Sequence, residues 1–105
     1  MVDFNEREQG FEKNFEHQQE VAFKLKARRN HLLGLWAAAQ LGLAGDAAEA
    51  YAVTVIDPAG HRHGDADIVA KIVADFAAKR VALDATRVQL ELAHFAQQAE
   101  KQLKS

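Results

Sequence analysis

The chain has 105 residues, 49% of them apolar and 27% charged, with no cysteine and a net charge of −2 at neutral pH. These values predict one soluble globular domain, and the lack of cysteine excludes disulfide scaffolds, thiolate zinc sites and cysteine nucleophiles. The slight acidic surplus disfavours a nucleic-acid partner, and no apolar run approaches the ~18 residues of a membrane span. The first residues lack the basic start and apolar stretch of a secretory signal. We therefore expect a cytoplasmic protein with no direct membrane insertion.

The first predicted helix covers about residues 3–41. Apolar side chains recur at helical spacing in its second half, and Gly42 and Gly45 supply the residues that end such a helix. We expect Leu32, Leu35 and Trp36 to belong to the structural core. The alternative for Trp36 is a surface position that binds a partner.

A second helix is predicted over residues 47–56. Asp46 precedes it as an N-cap, and Glu49 stands at the capping-box position. Several β-branched residues lower the helix propensity of this segment, so a short strand is the alternative. Pro58 ends the segment.

Two further helices complete an all-α four-helix bundle. Gly64 or Asp65 is the expected N-cap of the third helix, and Asp84 is the expected N-cap of the fourth. Each carries an apolar stripe, comprising Ile68, Val69, Ile72, Val73 and Phe76 in the third helix and Val88, Leu92, Phe95, Ala99 and Leu103 in the fourth.

Residues 1–20 differ from the rest of the chain. They contain six acidic and two basic side chains, whereas residues 21–40 contain four basic side chains and no acidic one. Their phenylalanines lie within about 40° of one another on a helix, which is too narrow a stripe for a core face. Glutamates at positions 8, 12, 16 and 20 repel one another at i, i+4 spacing. We expect a mobile N-terminal arm that becomes fully helical when a partner covers the phenylalanines, attached to a body of residues 21–105.

The sequence also bears on three other kinds of site. The basic collar, defined as residues Lys24 to Arg29, is a candidate anion or nucleic-acid site, although its charges spread around the helix. His61 and His63 with Asp65 and Asp67 have the side chains of metal ligands, but nothing fixes their geometry, so we expect no metal site. The sequence contains no nucleophile motif and no phosphate loop, so we expect no enzymatic activity and no cofactor.

Three strings carry a resemblance to a known family: Phe11-Glu12-x-x-Phe15-x-His17, then Phe23-Lys24, then Ala27-Arg28-Arg29-Asn30-x-Leu32-Leu33-Gly34-Leu35-Trp36-Ala37-Ala38. They resemble the zeta inhibitor subunit of alphaproteobacterial F-type ATP synthases. The resemblance implies a non-enzymatic subunit whose arm inserts as a helix between the α and β subunits and blocks rotation of the γ stalk. It also implies a location at the inner membrane through the synthase, and it leaves open weak nucleotide binding by the body.

Site residues follow from this resemblance together with the arm's pattern. The phenylalanines would be apolar anchors, and the charged residues would contact the partner: Phe4, Arg7, Glu8, Phe11, Glu12, Phe15 and Glu16. The base of the arm would be held by Lys24, Arg28 and Arg29.

Overall fold

The computed structural model describes the backbone of residues 3–56 and 64–104 and the side chains of residues 19–55 and 64–103. Its helices are α1 (Asp3–Gln40), α2 (Gly45–Ile56), α3 (Asp65–Ala78) and α4 (Ala85–Lys104). Helix α1 packs against α2 and α4, and α3 packs against α4. The predicted all-α four-helix bundle is confirmed, and the second segment is a helix rather than a strand. Within these ranges no helix is both long and apolar enough to cross a membrane.

The hydrophobic core draws on every helix. Its buried members are Leu33, Ala37, Val55, Ile68, Val69, Ile72, Phe76 and Val88. The predicted stripe of α3 supplies four of these, with Val73 half-buried beside them. In α4 the stripe is buried at Val88 and Ala99, but Leu103 is 43% exposed, so the buried face ends one turn earlier than predicted.

The helices α1 and α3 end in the same way. Gly42 follows α1 with a φ of +82°, and Leu43 N–H donates to the Ala38 carbonyl. Arg80 takes the corresponding place after α3 with a φ of +59°, and Val81 N–H donates to the Phe76 carbonyl. Both ends are Schellman motifs, in which a residue in the left-handed conformation lets the chain satisfy the last carbonyls.

The start of α2 differs from the prediction. The helix begins at Gly45, so Asp46 lies in its first turn instead of capping it. Glu49 does not close a capping box, because its carboxylate lies 2.9 Å from Nε2 of His31 on α1. Glu49 therefore makes a tertiary contact with α1 instead of the predicted capping-box hydrogen bond within α2. At α4 the prediction is confirmed, since Arg87 N–H donates to the Asp84 carboxylate at 3.0 Å.

Candidate partner-binding surface

The seven proposed arm residues lie on the helical backbone of α1. Their side chains, those of Phe4, Arg7, Glu8, Phe11, Glu12, Phe15 and Glu16, lie outside the described side chains. The unbroken helix fixes their register, which places the three phenylalanine positions within about 40° of one another. Gly10 does not interrupt the helix.

Side chains along α1 pass from exposed to buried between residues 19 and 30. Residues 19–24 are all exposed, and Phe23 is 68% exposed. The first buried side chain in this stretch is Asn30, which is 4% exposed. The bundle therefore encloses α1 from about Asn30 onward.

Arg29 lies where α1 passes from exposed to buried, and its side chain contacts another helix of the bundle. Its guanidinium donates to both carboxylate oxygens of Asp65, at 2.8 and 3.3 Å, which ties α1 to the start of α3. Its Nε donates to Oδ1 of Asn30 at 3.0 Å. The other two proposed base residues, Lys24 and Arg28, are exposed. A bidentate arginine–carboxylate pair fixes orientation as well as distance, so this contact joins α1 to α3 at the point where α1 leaves the bundle.

Closer to the C-terminal end of α1 than Arg29, helices α1 and α2 approach closely. A Cβ atom placed on Gly34 would lie 2.7 Å from Cα of Ala52, a separation that a real Cβ does not adopt. Glycine at position 34 therefore allows this close approach of α2. Leu33, Ala37 and Ala38 beside it are fully buried.

The three residues assigned to the structural core are all half-buried: Leu32, Leu35 and Trp36. Trp36 packs edge-on against Phe76 of α3, with ring centroids 5.8 Å apart. Its ring also lies 5.7 Å from the Arg87 guanidinium of α4. The indole thus joins three helices while part of its surface remains in contact with solvent.

A polar cluster joins α2 to α3. The Tyr51 hydroxyl donates to Oδ2 of Asp75 at 2.7 Å, and Lys71 Nζ donates to the same oxygen at 2.8 Å. Partial burial, the hydrogen bond to Asp75 and the charge of Asp75 all raise the pKa of Tyr51. Partial burial also acts to raise the pKa of Asp75, but the hydrogen bonds from Lys71 and Tyr51 and the charge of Lys71 outweigh it and hold that pKa below its usual value. Sequence reasoning did not identify this cluster, because Tyr51 lies twenty-four residues before Asp75 in the chain.

The candidate metal-binding loop is only partly described. His61 and His63 lie outside the described residues, and Asp65 is engaged by Arg29. Among the side chains that the structure describes, no three metal-binding groups converge.

Comparison with known proteins gives a match over nearly the whole chain. The family model described as ATPase inhibitor subunit zeta matches residues 1–102. The chain belongs to the ATPase inhibitor subunit zeta family. The comparison with curated proteins gives no match. The zeta family is one of inhibitor subunits, which are regulatory proteins, and its model covers the candidate arm and the four helices except the last two residues of α4.

Proposed function

We propose that this zeta-family protein is a non-enzymatic subunit that inhibits ATP hydrolysis by the F-type ATP synthase. Its arm, residues 1–20, folds as a helix into a catalytic interface between the α and β subunits and blocks rotation of the γ stalk. The family match over residues 1–102 carries this proposal. The protein would act in the cytoplasm, held at the inner membrane through the synthase.

Two parts of α1 differ in solvent exposure, which supports different roles for them. One end is enclosed by the bundle from Asn30 onward, while side chains of residues 19–24 are exposed to solvent. A helix that extends beyond its own domain can lay an apolar stripe into a groove on another protein. The stripe would consist of Phe4, Phe11 and Phe15, with Glu8, Glu12 and Glu16 as acidic contacts.

The energetics favour an arm that is stabilised by its target. Each phenylalanine buried in a preformed groove would contribute about 1.5–3 kcal/mol, against the cost of ordering the arm. Without a groove the glutamate row repels itself, and Gly10 lowers helix stability by about 1 kcal/mol relative to alanine. The helix over residues 3–18 therefore opens at little cost in the free protein and becomes fixed on binding.

The direct test is to titrate the purified chain into its own ATP synthase and measure ATP hydrolysis. We expect inhibition by the unmodified chain and loss of inhibition in the double variant Phe11→Ser/Phe15→Ser, with little change in melting temperature. Asn5→Ser/Gln9→Ser is the matched control, because its two positions lie about 100° or more from the centre of the stripe. A double phenylalanine variant that inhibits at wild-type concentrations would overturn the role of the arm.

Hydrogen exchange tests whether the arm folds on its target. Amides of residues 1–15 should exchange fast in the free protein and become protected in the complex. Protection that is already complete in the free protein would contradict folding on binding.

A further inference from the structure

Phe23 is the most exposed of the large apolar side chains in the described part of the chain, at 68%. It lies seven residues before Asn30 and fourteen before Ala37. At about 100° per residue, these spacings place Phe23 within about 40° of both buried residues on the helix surface. Phe23 therefore continues the buried face of α1 beyond the point where the bundle covers it.

Charged side chains surround this phenylalanine. Phe23 lines a shallow groove with Gln19, Glu20 and Lys24. Lys24 and Lys26 lie on opposite sides of Phe23, about 100° and about 60° around the helix, and both are exposed. Arg28 is also exposed, whereas Arg29 is paired with Asp65.

We propose that Phe23, Lys24 and Lys26 form a second docking surface, the collar surface, for the same ATP synthase that the arm inhibits. This inference rests on the proposed function and deepens it. The collar surface binds a protein surface that offers an apolar pocket for Phe23 with carboxylates at the rim of that pocket. It sets the affinity of the complex, while the arm blocks hydrolysis.

Charge and geometry favour a protein partner over a polyanion. Nucleic acid or an anionic membrane would be bound best by cations aligned on one face, but Lys24 and Lys26 are about 160° apart around the helix. Glu20 stands in the same groove as Phe23, and the acidic arm continues from it, so a dense row of phosphates would be repelled. A buried aromatic side chain with polar groups at the rim is typical of protein–protein contacts.

The test uses full-length variants in the hydrolysis assay. Phe23→Ser should raise the half-inhibitory concentration by about ten- to a hundredfold, the change that corresponds to burial of one phenylalanine. Inhibition at saturating concentration and the melting temperature should stay at wild-type values. Leu90→Ser is the matched control, because Leu90 is 63% exposed on α4, and it should change the half-inhibitory concentration less than twofold.

Salt dependence tests the charged part of the surface. Lys24→Gln/Lys26→Gln should weaken inhibition at low salt and flatten its salt dependence, because screening acts on exposed charges. The two glutamines keep much of the length of the lysine side chains.

Several outcomes would overturn the inference. An unchanged half-inhibitory concentration for Phe23→Ser would do so, as would a loss of maximal inhibition, which would place Phe23 in the blocking element. A self-associated chain that Phe23→Ser converts to monomer, or nucleic-acid binding that the lysine variant abolishes, would assign the surface to another partner. A wild-type chain that does not inhibit would overturn the proposed function as well, so the two failures are distinguishable.

Discussion

Gly34 and Ala52 bring the backbones of α1 and α2 into direct contact, since a Cβ atom on residue 34 would lie 2.7 Å from Cα of Ala52. The nearest obstacle is backbone, which cannot rotate away as a side chain does. Two helices at this distance leave room only for small residues at the crossing, and Ala37 and Ala38 are fully buried beside it. The crossing therefore fixes how α2 lies across α1.

The first prediction concerns this crossing. In Gly34→Ala, overpacking against backbone costs about 3 kcal/mol, and the higher helix propensity of alanine returns about 1 kcal/mol. We expect the free energy of unfolding to fall by about 2 kcal/mol in urea denaturation. In Gly64→Ser the added Cβ meets no atom within 4 Å and the new hydroxyl can cap α3, so this control should not lose stability. A stabilised Gly34→Ala protein would contradict the close crossing.

The second prediction compares the C-terminal ends of α1 and α3, which are both Schellman motifs. Arg80 has a φ of +59°, a conformation that costs a non-glycine residue about 1 kcal/mol. Arg80→Gly should raise the free energy of unfolding by about 0.5–1 kcal/mol. Gly42→Ala should lower it by about the same amount, because Gly42 holds the same place at the end of α1 with a φ of +82°. Equal signs for the two changes would show that the left-handed residue does not determine either end.

A third prediction separates two adjacent arginines. Arg29→Gln removes a bidentate contact to Asp65 from a side chain that is 14% exposed, and we expect a loss of about 1–2 kcal/mol in the free energy of unfolding. Arg28→Gln, at an exposed position, should change stability by less than about 0.5 kcal/mol. A double-mutant cycle with Asp65→Asn should give a coupling of about 0.5–1 kcal/mol, because Asp65 is 49% exposed. Zero coupling would show that the pair does not hold α1 to α3.

The fourth prediction uses the chain's single tyrosine. The raised pKa of Tyr51 means that its phenolate absorbance should appear above pH 10 in the folded protein and at about pH 10 in urea. Since the folded pKa exceeds the unfolded one, the stability from Tyr51 is complete below pH ~10 and is lost as the pH rises through the folded pKa. Asp75→Asn should move the titration midpoint down toward the value in urea. An unchanged midpoint in this variant would contradict the contact.

The pKa of Asp75 has the opposite consequence. Because the folded pKa lies below the unfolded one, its stabilising effect is present above pH ~4 and is lost as the pH falls through the folded value. Acid unfolding should therefore begin at higher pH in Lys71→Met, which removes the charge beside Asp75.

Local patterns were sufficient to predict the helices. The stripe from Ile68 to Phe76 repeats at helical spacing, and Asp84 has the side chain and position of an N-cap, so both follow from neighbours in the chain. The structure begins α2 two residues earlier than predicted, and Glu49, the predicted capping-box residue, contacts His31 on another helix. A local rule cannot anticipate a partner that is eighteen residues away.

The buried face of α1 and its polar contacts depend on the fold. Reasoning from large apolar residues selected Leu32, Leu35 and Trp36, which are half-buried, whereas the fully buried residues include Ala37 and Ala38. Small residues are buried where helices approach most closely, and the sequence alone does not show which helix approaches. The pairing of Arg29 with Asp65 joins residues thirty-six positions apart, so it becomes visible only in three dimensions.

The length of α1 has a mechanical consequence. Twenty-seven residues separate Asn30 from Asp3, which is about 40 Å of helix at 1.5 Å per residue. A tilt of about 10° where α1 leaves the bundle would move the far end by about 7 Å, more than one turn of helix. In the proposed complex, where the arm is fully helical, α1 would act as a long lever, and the Arg29–Asp65 contact would lie close to its pivot. Substitution of Arg29 or Asp65 would therefore misdirect the arm, although neither residue belongs to the arm or to the collar surface.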